Sequence, residues 1–121
     1  MAGTNPIFAN YEGARQALLK ASVTDVRKAA KQVTAAAHGA NQHAIAEKAV
    51  ALEKSSDLAS ARKAFAALSD DIIKYRSTVS GDKPVVAYCS MEKKSWLQPR
   101  GTIGNPYVAA SMSTCGEIRQ D

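Results

Sequence analysis

The 121-residue chain has the length of one domain, and its 45% hydrophobic and 22% charged residues are typical of a folded globular protein, not a disordered or fibrous one. Its formal net charge of +5 is spread along the sequence with acidic residues between the basic ones, which favours solvated helix faces, Arg62 and Lys63 among them, over a nucleic-acid-binding surface. No apolar run is long enough to span a membrane. We therefore expect residues 1–121 to form a single domain with no membrane span and no nucleic-acid partner.

The first two predicted helices occupy residues 6–38. Apolar residues recur at spacings of three and four from Pro6 to Ala21, and the proline suits a first helical turn. Ser22, three residues before Asp25, resembles a capping box and predicts the start of the second helix. This helix should end near His38, where Gly39 would supply the C-terminal cap.

Two further helices are predicted before residue 80. Asn41 can cap the third helix, and Ser55 to Asp57 reads as both its end and the cap of the fourth. The fourth has the clearest helical periodicity, and Ser80-Gly81-Asp82 ends it. Its apolar positions are Leu58, Ala61, Phe65, Leu68, Ile72, Tyr75 and Val79.

Helical periodicity stops at Pro84, and glycine, proline and β-branched residues follow it. Residues 84–121 are therefore predicted to be mostly loop, with short strands at Val85–Tyr88 and around Glu117 and Ile118. The predicted fold class is all-α: a bundle of about four helices, residues 6–80, with an irregular tail of loop and short strands packed against it.

Both cysteines lie in this tail, each with a methionine nearby: Cys89 with Met91, and Cys115 with Met112. Thiolates and thioethers are soft donors that suit Cu(I) and similar ions. The residue types alone leave three alternatives open. The cysteines could form a disulfide, whose loop of roughly 26 residues would contribute about 3 to 4 kcal/mol; they could bind a metal; or they could be unpaired structural residues, with the methionines filling core gaps.

The tail motifs resemble the C-terminal domain of unassigned function of CusB-type heavy-metal efflux adaptors, a domain that also occurs as free-standing exported bacterial proteins. The matching segments are Tyr88-Cys89-x-Met91, Trp96-Leu97, Ile103-x-Asn105-Pro106-Tyr107, Met112-x-x-Cys115-Gly116 and, in the fourth helix, Phe65-x-x-Leu68-Ser69. The resemblance covers roughly residues 8 to 118. The chain departs from the pattern at Ser90, where family members usually have proline, and at Val108–Ala110, where they have a glycine.

The resemblance implies a periplasmic, copper-linked setting for an exported mature chain. Cys89, Met91, Met112 and Cys115 would be ligands for Cu(I) or a similar soft ion, which the protein would hand over to a heavy-metal efflux complex or a metallochaperone. The alternative function is a disulfide-stapled interaction module that docks onto an efflux or envelope partner and binds no metal.

His38 and His43 are weaker candidate ligands, which could complete a metal site if the tail folds over them. Trp96 and Tyr107 are expected to anchor the tail on the helices by apolar burial. The sequence contains no nucleophile-elbow, zinc-protease or phosphate-loop motif, so we expect the protein not to be an enzyme.

Overall fold

The computed structural model describes residues 5–121, in which four helices precede a small antiparallel sheet. The helices are α1 (Pro6–Leu19), α2 (Val23–Gly39), α3 (His43–Glu53) and α4 (Leu58–Arg76). The strands are β1 (Val85–Cys89), β2 (Lys94–Gln98) and β3 (Glu117–Gln120), with a short 3-10 helix at Ala110–Met112 before β3. None of the described helices has the length and apolarity needed to cross a bilayer.

Side-chain caps fix three of the helix starts. The Asn5 side chain accepts hydrogen bonds from the first amides of α1, and Ser22 accepts one from the Asp25 amide, as its position before α2 predicts. Asp57 and Ser60 form a reciprocal capping box at the start of α4. The hydrogen bonds from the Ser60 amide and hydroxyl lower the pKa of the Asp57 carboxyl.

The predicted helix bounds need correction in two places. Gly39 is the last residue of α2 and is not the left-handed cap; the left-handed residue is Asn41, with φ of 58°. Asn41 therefore does not cap α3, which begins after Gln42 without a side-chain cap. The last helix ends at Arg76, one turn earlier than the apolar spacing suggested.

The three strands pair in the order β2-β1-β3, with both neighbours antiparallel to β1. The prediction of an all-α fold is therefore wrong, and the fold is α+β. Short strands at Val85 and Glu117 were expected, but β2 was not. The sheet forms because β2 folds back on β1 across a four-residue turn, residues 90–93, and the end of the chain then pairs with the other edge of β1.

The sheet is buried against the helices through one shared hydrophobic core. Trp96 and Leu97 of β2 are fully buried, and β2 packs chiefly on α4. Tyr107 lies with its ring centroid 5.9 Å from that of Trp96 and 6.1 Å from that of Phe65. The prediction that Trp96 and Tyr107 anchor the tail on the helices is confirmed.

Three arginines on the helices donate to backbone carbonyls of the tail. Arg15 binds the Gly104 oxygen at 2.7 Å, Arg62 the Val108 oxygen at 3.1 Å, and Arg76 the Pro84 oxygen at 2.6 Å. Arg15 and Arg76 are buried and Arg62 is half-buried, so the expected solvated role of Arg62 is wrong. These contacts satisfy tail carbonyls that have no strand partner.

Candidate metal centre at the cysteine end of the sheet

The pairing of β1 with β3 brings the two cysteine segments together. Tyr88 pairs with Glu117. Cys89 is the residue after Tyr88, and Cys115 lies two residues before Glu117. Because the strands are antiparallel, both cysteines lie at the same end of the sheet. A side-chain carbon placed on Gly116 would lie 3.2 Å from the Tyr88 carbonyl oxygen, which shows how closely the two backbones approach.

Both cysteines are free thiols, and their surroundings differ. Cys89 is fully buried in the core, and its sulfur lies 3.4 Å from the Glu92 amide nitrogen, within the turn that joins β1 to β2. Cys115 is half-buried.

The two methionines are exposed instead of filling the core. Met91 lies in the turn after β1 with 54% exposure, and Met112 ends the short 3-10 helix with 41% exposure. Their thioethers therefore have access to solvent and to ions. The alternative in which they fill core gaps is therefore wrong for both residues.

Asn105 holds the second cysteine segment in place. Its backbone amide donates to the Ser113 oxygen at 2.7 Å, and its side-chain amide donates to the Cys115 oxygen at 2.7 Å. Its side-chain oxygen accepts a hydrogen bond from the Tyr107 amide at 2.9 Å. This single buried amide thus joins the loop at Tyr107 to the turn that carries Met112 and Cys115.

Gln98 has the same function for the loop of residues 99–104. Its side-chain oxygen accepts from the Trp96 indole and from the Gly104 amide, both at 3.0 Å, and its nitrogen donates to the Thr102 oxygen at 3.0 Å. Sequence reasoning assigned no role to Gln98 or Asn105. The available signal was two amides in a segment rich in glycine and proline, where buried loop backbone needs side-chain partners.

A chain of buried hydroxyls lies beneath the sheet. The Tyr11 and Ser69 hydroxyls are 2.6 Å apart, and the Tyr107 hydroxyl lies 3.2 Å from Ser69 and donates to the Ser95 oxygen at 2.6 Å. The Leu97 amide donates to Tyr11. Burial raises the pKa of both tyrosines, so these hydroxyls are neutral and serve to hold β2 on the helices.

The two histidines contact each other at the junction of α2 and α3, with their Nδ1 atoms 2.9 Å apart. Within residues 5–121, no group of three or more histidine, cysteine, aspartate and glutamate side chains is arranged to hold a metal ion. Any metal at the cysteine end would therefore depend on the two thiols and on the thioethers of Met91 and Met112.

A groove of about 380 Å³ lies between α1 and the chain around Pro84 and Pro99. Phe8, Tyr11 and Leu97 give it an apolar floor, while none of the predicted ligands lines it.

Comparison with protein families, with curated proteins and with solved structures found no match to this chain.

Proposed function

We propose that this protein binds a soft metal ion, Cu(I) above all, at the cysteine end of its sheet and hands that ion to a partner. The observation that carries the proposal is the pairing of β1 with β3, which places the Cys89 and Cys115 segments at the same end of the sheet, each with an exposed methionine nearby in the sequence. Sulfur donors of both kinds thus belong to the segments at this end of the sheet, with Cys89 buried and the other three at least partly exposed. Soft donors of this type bind Cu(I) in preference to hard cations.

The difference in exposure between the sulfurs supports a stepwise loading. Met91 and Met112 face solvent and are neutral, weak donors that capture and release an ion readily. Cys115 is half-buried and Cys89 fully buried, so their thiolates provide the tighter, more protected ligands. Loading of Cys89 requires movement of the turn at residues 90–93, which covers it with the Glu92 amide.

The ion is cargo in this proposal, and the protein is an accessory of copper or heavy-metal resistance that acts in the periplasm. The resemblance of the tail motifs to the domain of CusB-type adaptors supports that setting, with an efflux complex or metallochaperone as the receiving partner. Trp96 and Asn105 match those motifs and Gln98 adjoins them. Asn105 holds the segment of Met112 and Cys115 in place, and Gln98 holds the neighbouring loop of residues 99–104.

Competition titration against a Cu(I) chelator under reducing conditions tests the proposal. We expect Cys115→Ser and Cys89→Ala to abolish tight binding, because each removes a charged donor. Alanine is used at position 89 because a serine hydroxyl would be buried in the core there. Met91→Leu and Met112→Leu conserve volume, and each should weaken binding modestly.

Ile118→Leu is the matched control, because Ile118 is 39% exposed on the adjoining strand and has no sulfur. It should bind Cu(I) as the wild type does, and circular dichroism should show unchanged helix content in all five variants. Unaltered Cu(I) affinity in both folded cysteine variants would contradict the proposal.

The same strand pairing favours a second candidate, in which oxidation joins Cys89 to Cys115 and the chain is a metal-free docking module for an envelope partner. Thiol counting separates the two functions. Free thiols that become protected when Cu(I) is added support metal handling, and a stable disulfide indifferent to metal supports the docking module.

A further inference from the structure

The fold brings the chain's two histidines into direct contact. His38 lies in the last turn of α2, and His43 is the first residue of α3. Their Nδ1 atoms are 2.9 Å apart, and their ring centroids are 5.0 Å apart with an interplanar angle of 43°. Both side chains are exposed, so solvent and ions have access to the pair.

The backbone between the two rings fixes their separation. The Gln42 amide donates to the Ala37 oxygen at 2.7 Å, and the Asn41 amide donates to the His38 oxygen at 3.1 Å. Ala37 at one side of this turn and Ile45 at the other are buried in the core. The two histidines are therefore held together by a hydrogen-bonded turn, without dependence on contact between the rings.

The hydrogen bond between the rings contributes little by itself. Neutral imidazole has one donor and one acceptor nitrogen, so the contact uses one ring proton and one lone pair. At an exposed position water competes for both groups, and the net contribution is about 1 kcal/mol or less. Rotation of the exposed rings can turn both Nδ1 lone pairs towards one bound ion.

The separation of the nitrogens is close to that of two imidazoles bound to one metal ion. Imidazole nitrogens bind a first-row metal ion at about 2.0–2.1 Å. Two of them lie about 2.9 Å apart when they subtend a right angle at the ion, and about 3.3 Å apart at the tetrahedral angle. The observed 2.9 Å is the hydrogen-bond separation of the two rings, and it shows that the turn holds both nitrogens close enough for one ion to reach both after the rings rotate.

We propose that His38 and His43 form a chelating site for a divalent ion that imidazole nitrogen binds well, Cu(II) or Ni(II), separate from the cysteine end of the sheet. Water completes the coordination, since the described part of the chain adds no third histidine, cysteine or carboxylate to the pair. The site uses nitrogen donors and takes a different oxidation state from the Cu(I) cargo, so it does not rest on the function proposed above.

Titration of the full chain with Ni(II), followed by proton NMR of the histidine rings, tests this site. With only two histidines in the sequence, each ring signal is identified by the variant that lacks it. We expect both signals to change together and to saturate at one ion per chain. His38→Gln and His43→Gln should each weaken binding at least about tenfold, because a chelate loses its second attachment.

Gln42→Ala is the matched control, since Gln42 lies between the histidines and its amide is a weaker ligand for these ions than imidazole. It should bind Ni(II) like the wild type. A loss smaller than tenfold in either histidine variant, with circular dichroism unchanged, would overturn the site. Loss of the Ni(II) response in Cys89→Ala or Cys115→Ser would also overturn it and assign the ion to the thiols. Failure of the Cu(I) titration would leave the histidine result intact.

Discussion

A few polar side chains join the helical part of the molecule to the sheet, and the buried tyrosines are the clearest of them. Tyr11 lies on α1, Ser69 on α4 and Tyr107 in the loop before β3, and their hydroxyls form one hydrogen-bonded chain. This chain also satisfies the Leu97 amide and the Ser95 carbonyl of β2. Polar groups at this depth stabilise the fold only while every member has its partner.

The free energy of unfolding should therefore decrease at alkaline pH. Burial raises the folded-state pKa of Tyr11 and Tyr107 above 10.0, whereas an unfolded chain titrates near that value. Their stabilising effect is complete below pH 10, and it is lost as pH rises from about 10 towards the folded-state pKa. The slope is about 1.4 kcal/mol per pH unit for each tyrosine. Urea denaturation at successive pH values measures this dependence of the free energy of unfolding on pH.

Tyr11→Phe should reduce that slope, because it removes one of the two buried titrating groups. At neutral pH the same variant should lower the free energy of unfolding by about 1–3 kcal/mol, since the Leu97 amide loses its acceptor. Tyr88→Phe is the control at neutral pH, because Tyr88 is half-buried beneath the Arg119 guanidinium. This variant should change the free energy of unfolding by no more than about 0.5 kcal/mol. Equal alkaline slopes in Tyr11→Phe and the wild type would contradict the assignment.

At the scale of elements, the helices were predictable because each carries local signals. Apolar spacing located all four, and Ser22 and Asp57 marked two of the starts. β2 was not predictable in the same way, because Lys94–Gln98 has no alternating pattern and its turn lacks glycine or asparagine. The left-handed residue of that turn is Lys93, with φ of 56° and an amide that donates to the Cys89 oxygen.

The candidate metal centre was predictable only in its residue types. Clustered cysteines and methionines indicated soft-metal chemistry, but their proximity follows from β3 pairing with β1, a contact between segments about thirty residues apart that no local pattern specifies. The positioning roles of Gln98 and Asn105 depend on the same tertiary arrangement. The contact between His38 and His43 likewise follows from the left-handed conformation of Asn41.

Two glycines should respond oppositely to alanine because they lie in different elements. A methyl group on Gly116, immediately before β3, would lie 2.8 Å from the Trp96 ring and 3.2 Å from the Tyr88 oxygen. Gly116→Ala should therefore destabilise the protein by about 1–3 kcal/mol. Gly39, in the last turn of α2, has nothing within 4 Å of that position, so Gly39→Ala should stabilise by about 0.4–1 kcal/mol.

Urea denaturation midpoints measure both changes. Gly39→Ala is the matched control, because it adds the same methyl group at an open site. If Gly116→Ala were as stable as the wild type, the close approach of Gly116 to the Trp96 ring and the Tyr88 carbonyl would be wrong, and with it the backbone approach of the two cysteine segments.

At the scale of the whole molecule, the helices and the tail share one core. Buried residues of all four helices belong to the same cluster as Cys89, Trp96, Leu97 and Tyr107. The three arginines that donate to tail carbonyls add polar contacts across the same boundary. A tail attached in this way should not unfold independently of the bundle, because its separation would expose the buried tryptophan and leave those carbonyls unpaired.

Helices and tail should accordingly unfold in one transition, and the chain provides a separate probe for each. Far-ultraviolet circular dichroism reports mainly on the helices, whereas fluorescence of the single tryptophan, Trp96, reports on the sheet.

Val33 is fully buried in α2, which packs on α1 and α3. Val33→Ala should lower the free energy of unfolding by about 2 kcal/mol through the cavity it leaves. Both probes should shift to the same lower urea midpoint, since the affected helix and the tail share one core. The fluorescence midpoint could instead stay at its wild-type value while the circular-dichroism midpoint falls. That result would show that the sheet unfolds separately from the helices. The arginine and tyrosine contacts would then be too weak to couple the tail to the bundle.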